Sequence, residues 1–163
     1  MARIRAIAMD VDGVLTDGTL WLDEAGHESK RIAFVDVMGV AMGRRAGLKF
    51  ALISGEAGPL LDQIANKLGI SHVYAGCQDK ASALRDFAEQ HAMDLREVCF
   101  IGDDVNDVEA LGACGLGVAP AGAHSSAKGS AGFVTERSGG DGAVREVVDR
   151  VLDQASSAGP KLE

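Results

Sequence analysis

The sequence predicts an α/β fold in three layers: a central parallel sheet with helices on both faces. Two observations carry this reading. Apolar strands alternate with amphipathic helical segments along the whole chain. The strands are also unbroken apolar runs, at residues 48–53 and 98–101 for example, as expected when both faces of a sheet are covered.

The first strand, residues 4–9, runs into Asp10-Val11-Asp12-Gly13. In an extended chain residues two apart face the same side, so Asp10 and Asp12 are expected to converge at the strand's tip, where Gly13 lets the backbone turn. Residues 19–22 and 28–34 look extended about a turn at 23–27, a hairpin signal. Asp36 is placed to cap a helix over 37–45 that Gly47 stops. A strand over 48–53 ends at Ser54-Gly55. Pro59 suits the first turn of a helix reaching residue 68, stopped by Gly69. A short strand follows at 72–74, and Asp79 can cap a helix over 80–91. The strand at 98–101 ends in Gly102-Asp103-Asp104, before a helix over 105–111 and a strand over 115–118. A short helix at 125–128, a strand at 132–135 and a helix over 143–154 complete one domain, residues 1–154. Residues 155–163 read as a flexible tail.

Bulk properties narrow the function. The 163 residues suffice for one sizeable core, and the 47% hydrophobic, 25% charged composition is that of an ordinary soluble domain. A net charge of −8 argues against nucleic-acid or anionic-membrane partners, and no apolar run is long enough to span a bilayer. The three cysteines, without CxxC spacing, and the absence of a leader-like apolar segment point to a reducing cytoplasm. The four histidines show no zinc-site spacing.

The chemistry gathers where the strands end. In open parallel sheets ligands bind outside the C-terminal strand ends, and four polar clusters fall there: Asp10/Asp12, Ser54-Gly55, Asp79-Lys80, and Asp103/Asp104/Asp107. Like charges as close as Asp10 and Asp12 need a cation between them or a shared proton. Mg²⁺, acid/base work, or both therefore fit the pair. Asp10, Asp12 and Asp103 offer the hard oxygen ligands that Mg²⁺ prefers. Ser54 and the N–H groups of Gly55 and Gly13 can hydrogen-bond a phosphoryl group, and Lys80 supplies a compact positive charge.

This order and spacing resemble the haloacid dehalogenase (HAD) superfamily of aspartyl-phosphate phosphatases. Its four motifs stand here as Asp10-Val11-Asp12-Gly13-Val14-Leu15-Thr16, Ser54, Lys80, and Gly102-Asp103-Asp104-Val105-Asn106-Asp107. The resemblance implies a Rossmann-like (HAD-like) domain with Asp10 as nucleophile and Asp12 as general acid and base. It further implies Mg²⁺ held by Asp10, Asp103 and the Asp12 carbonyl, with Asp107 fixing Lys80 or a metal-bound water. The early hairpin, the segment starting at Asp36, and Gly139-Gly140-Asp141-Gly142 resemble the capless branch that contains the 3-deoxy-octulosonate 8-phosphate (KDO 8-phosphate) phosphatases and their nonulosonate relatives. No cap domain fits between Thr16 and Ser54 or between Lys80 and Asp103. The branch implies a small phosphorylated sugar or sugar acid as substrate and a homotetramer whose neighbouring subunits close each site.

Three positions depart from that branch. Val35, Glu56 and Asp141 stand where basic residues are usual. Substrates carrying a carboxylate would lose charge-assisted partners there, so a neutral or amine-bearing phosphorylated sugar is the expected change, unless Lys30, Arg31, Arg44 or Arg45 point inward and compensate. The rival reading is a non-catalytic HAD-like oligomerisation or regulatory domain. A phospho-receiver domain fits poorly, because its acceptor Asp sits on a middle strand, where this chain has Ser54-Gly55.

Overall fold

The computed structural model describes residues 2–157. Six parallel strands form one sheet in the order β5-β4-β1-β6-β7-β8. They are β1 (Ala6–Met9), β4 (Lys49–Ile53), β5 (His72–Tyr74), β6 (Val98–Ile101), β7 (Leu116–Ala119) and β8 (Phe133–Val134). The chain starts in the middle, adds strands on one side, then returns across β1 to build the other. The two strands after β1 in the site's construction, β4 and β6, therefore flank it and leave a crevice at their C-terminal ends.

Side-chain alternation sorts the core into two layers. Ile7, Met9, Phe50, Leu52, Cys99 and Ile101 face α1 (Phe34–Arg45), α2 (Pro59–Leu68) and α6 (Ala143–Ser157). Ala6, Ala8, Ala51, Ile53, Val98 and Phe100 face α3 (Lys80–Gln90), α4 (Val108–Ala113) and α5 (Ser125–Ser130). The unbroken apolar runs are thus two alternating sets, each buried. No helix among the described residues is long and apolar enough to cross a membrane.

The hairpin is present but short, with β2 (Trp21–Leu22) paired antiparallel to β3 (Glu28–Ser29). Its turn is held by the Asp23 carboxylate, which accepts from the N–H groups of Ala25 and His27 at 2.9 and 2.8 Å. No cap domain interrupts the sheet. The helix placed at 105–111 divides into a 3₁₀ turn, Val105–Asp107, and α4. A second 3₁₀ turn, Leu95–Glu97, carries no apolar period by which it could be read. The last helix runs to Ser157, three residues past the expected domain end, and the rest of the expected tail lies outside the described residues.

Asp36 does not cap its own helix. α1 begins two residues earlier, at Phe34, and the Asp36 carboxylate is fully buried. It accepts from the backbone N–H groups of Gly142 and Arg145 at 3.2 and 2.9 Å, and so caps α6 from across the α1–α6 interface. Gly39 brings the helices together there, since a Cβ at this position would press against the Arg145 backbone at 3.0 Å.

Candidate active site

Asp10 and Ser54 follow directly on β1 and β4, and Asp103 follows β6 after Gly102. Lys80 opens α3, positioned by Asp79, whose side chain accepts from the Ser82 N–H at 2.8 Å. Lys80 is almost completely buried. Its Nζ donates to Asp10 Oδ2 at 2.5 Å and to Asp107 Oδ1 at 2.7 Å. Burial works against its charge, but Asp10 and Asp107 outweigh that and hold the ammonium above its ordinary value. The opposing side of Asp10 accepts from the Val11 N–H at 2.7 Å.

Asp107 has a second task. Its Oδ2 accepts from the N–H groups of Asp103 and Asp104 at 2.8 and 3.2 Å, which fixes the loop that presents Asp103. Carboxylate oxygens of Asp10, Asp103 and Asp107 lie within 4.8 Å of one another, the one such group among the described residues. Burial and mutual repulsion raise Asp10 to about 6 and Asp103 to about 7. Three acids this close, two of them pushed above the usual carboxylate range, are a hard-oxygen site suited to a divalent cation. Gly13 makes room for it, because a Cβ there would collide with the Asp103 carboxylate.

Asp12 departs from the expected convergence. The chain already turns at Val11, whose carbonyl accepts from Val14, Leu15 and Thr16. Asp12 lines the same cavity as Asp10, Gly55, Glu56, Asp103 and Asn106, but its carboxylate pairs with Lys30 at 2.8 Å. The two acids thus relieve their repulsion through two different lysines, and the Asp12 carboxylate stands outside the acid cluster. Ser54 is buried beside Asp12, with its Oγ accepting from the Glu56 N–H at 3.1 Å. α2 begins at Pro59, as the sequence predicts, so Ser54 stands five residues ahead of the start of that helix. The Gly13 N–H already donates to the Thr16 hydroxyl at 3.3 Å. Asp104 is exposed and caps the following 3₁₀ turn through Val105.

Of the cations that could compensate for Val35, Glu56 and Asp141, only Lys30 reaches the site. Arg31 approaches Asp17 at 3.7 Å, and Arg44 lies at the far edge of the sheet, donating to the Leu68 carbonyl. Glu56 lines the active cavity, whereas Val35 and Asp141 share another with Arg137 and Arg145. Beyond Asp12, between the hairpin and the start of α2, a cavity of about 400 Å³ is lined by Lys30, His27, Ser54, Glu56, Leu60 and Gln63 among others. Sequence reasoning missed Asn106 and the part played by Thr16, whose buried hydroxyl also accepts from Gly18 at 3.2 Å. Gly139 and Gly140 pack onto the Gly13 and Thr16 backbone so closely that a Cβ on either would clash. That glycine pair was the available signal for a braced loop.

Known proteins share this fold. A model of haloacid dehalogenase-like hydrolases matches residues 59–147. The 3-deoxy-D-manno-octulosonate 8-phosphate phosphatase of Yersinia pestis is 38% identical over 151 residues, 93% of this chain and 81% of that protein. That of Escherichia coli K12 is 37% identical over 150 residues, 92% and 80% of the two chains. The crystal structure of the Moraxella catarrhalis phosphatase with magnesium ion, phosphate ion and KDO superposes with a TM-score of 0.90 at 33% identity, covering 93% of this chain and 87% of that one. A cobalt-bound Haemophilus influenzae phosphatase gives 0.90 at 34%, covering 94% and 90%.

Proposed function

The chain belongs to the haloacid dehalogenase-like hydrolase family, and from this we propose that it is a Mg²⁺-dependent phosphatase of the KDO 8-phosphate phosphatase kind, acting through an aspartyl phosphate on Asp10. The observation that carries the reading is the buried Asp10–Lys80–Asp107 bridge beside Asp103 at the C-terminal edge of the sheet. Asp10 and Asp103, with the Asp12 carbonyl, would hold the ion. When bound, Mg²⁺ supplies the charge that lets an anionic carboxylate approach an anionic phosphoryl group.

The residues then divide the work. An Asp10 oxygen bonds to phosphorus as the ester P–O bond breaks, and Asp12 gives the leaving alkoxide a proton. In the second half Asp12 takes a proton from water as that water attacks phosphorus, the Asp10–phosphorus bond breaks, and phosphate leaves. Lys80 keeps Asp10 aimed and offers charge to the phosphoryl oxygens. Ser54, with the N–H of Gly55, would bind those oxygens, while Asp107 positions both Lys80 and the Asp103 loop. Gly13 and Asp104 shape the loops on either side.

The substrate class is a small phosphorylated sugar or sugar acid. We read the contacts to its distal end as altered from those of the relatives, because Glu56 places a carboxylate in the active cavity and only Lys30 adds a cation there. A homotetramer, which the branch implies, would give cover to apolar side chains left exposed on the hairpin and the start of α1, among them Trp21 at 72% and Phe34 at 78% exposure. The three free cysteines agree with a cytoplasmic setting. The non-catalytic alternative has no observation in its favour, since Asp10, Asp12, Lys80 and Asp107 are all retained and engaged.

The test is phosphate release from a panel of phosphorylated sugars with Mg²⁺. We expect turnover that Asp10→Asn abolishes, with neutral or amine-bearing sugar phosphates used at least as well as KDO 8-phosphate. Absence of turnover on every member would sink the enzymatic reading. Strong preference for KDO 8-phosphate would sink only the altered contacts.

A further inference from the structure

A further cavity, of about 320 Å³, lies at the opposite edge of the sheet. It is built where β4 and β5 begin and where α1, α2 and α3 end, so the length of the strands separates it from Asp10 and Ser54. Arg44, Lys49, His72 and His91 line it, and no acidic side chain does. In a chain with 24 acids against 16 lysines and arginines this is a local inversion of charge. Among the described residues none of the four forms a salt bridge.

The ends of the helices account for only part of this charge. Helix C-termini favour cations, and Arg44 answers that demand by donating to the Leu68 carbonyl at 3.3 Å. Gly69, at φ 64°, allows this, because a Cβ there would collide with the guanidinium. Lys49 and the two imidazoles satisfy no helix carbonyl. His72 and His91 meet Nε2 to Nε2 at 3.0 Å, sharing one proton, with Phe87 packed edge-on against both rings. Burial first, and then His72 and Lys49, hold the His91 imidazole below its ordinary value.

We propose that this cavity binds a small multivalent phosphate anion, with Lys49 and Arg44 meeting its oxygens and the His72–His91 pair donating from the cavity wall. Its volume falls at the lower end of the range for small-molecule sites, which suits a phosphorylated metabolite or pyrophosphate rather than a nucleic acid. The site is separate from the phosphatase centre and does not depend on the reading given to that centre.

Histidine-selective NMR tests the proposal with inorganic pyrophosphate as probe, in buffer containing EDTA. The chain carries its own controls: His27 lines the cavity beside Asp12, and the His124 N–H donates to the Asp103 carbonyl. We expect saturable shifts of the His72 and His91 signals, with His27 and His124 unmoved. Lys49→Gln, at an exposed position, should weaken binding about tenfold and Lys49→Glu should abolish it, while the ligand-free spectra show the fold intact. Shifts confined to His27 or His124, a response linear in concentration, or an unchanged affinity in Lys49→Glu would each overturn the site.

Discussion

At the scale of single residues, Lys80 connects folding to chemistry. Among the described residues it is the one buried cation, and it lies between two buried carboxylates, so its loss would strand both. Removing one member of a buried ion-pair network costs about 3–5 kcal/mol. Lys80→Met should therefore lower stability in urea by about 3 kcal/mol without added metal and reduce phosphate release by about 10²–10³-fold. Unchanged stability would mean that Asp10 and Asp107 reorganise or protonate at little cost. Asp10, Lys80, Asp103 and Asp107 were legible in the sequence because each stands just after a strand or at the start of a helix, where local patterning alone fixes position. Lys30 was legible only as a possibility. It lies on the hairpin, and whether the hairpin folds back onto Asp12 depends on tertiary packing that no local period encodes.

At the scale of elements, the same division recurs in Asp36. Directly before a helical apolar pattern, an Asp reads as an N-cap, yet here α1 starts earlier and Asp36 is buried inside its first turn. The carboxylate serves another helix, α6, by accepting from Gly142 and Arg145. Nothing in the sequence near Asp36 could show this, since the partners lie more than a hundred residues away. The structure makes the cost of losing it concrete. Asp36→Ala leaves two backbone donors at the head of α6 without their acceptor and should destabilise by about 2 kcal/mol. Asp36→Asn, which keeps one acceptor oxygen, should lose less. Equal losses in chemical denaturation would show that packing against α6, rather than capping, is what position 36 supplies.

At the scale of the whole molecule, the layered fold was legible because covered parallel strands must be apolar throughout. The strand order was not, because period and composition carry no information about which edge a returning chain takes. That order is what places β1 between β4 and β6 and crowds the carboxylates of Asp10, Asp103 and Asp107 at one crevice. The crowding couples the stability of the fold to metal and pH. Asp10, raised to about 6, and Asp103, raised to about 7, hold protons more tightly when folded than when unfolded. Their contribution is full below the ordinary carboxylate pKa and is lost as pH rises through about 6 to 7. A cation must displace those same protons. It should therefore stabilise little at about pH 5, where they are retained, and most above about pH 7, where the bare acids repel. Thermal unfolding in EDTA and in about 5 mM Mg²⁺, compared across this range, should show a gap in Tm that widens with pH by several degrees. Groups remote from the site cancel in that difference. Asp103→Asn should narrow the gap at high pH by removing both a ligand and a repelling charge. A gap independent of pH would mean that the ion is held without displacing protons from Asp10 and Asp103, and the acid cluster would then not be its site.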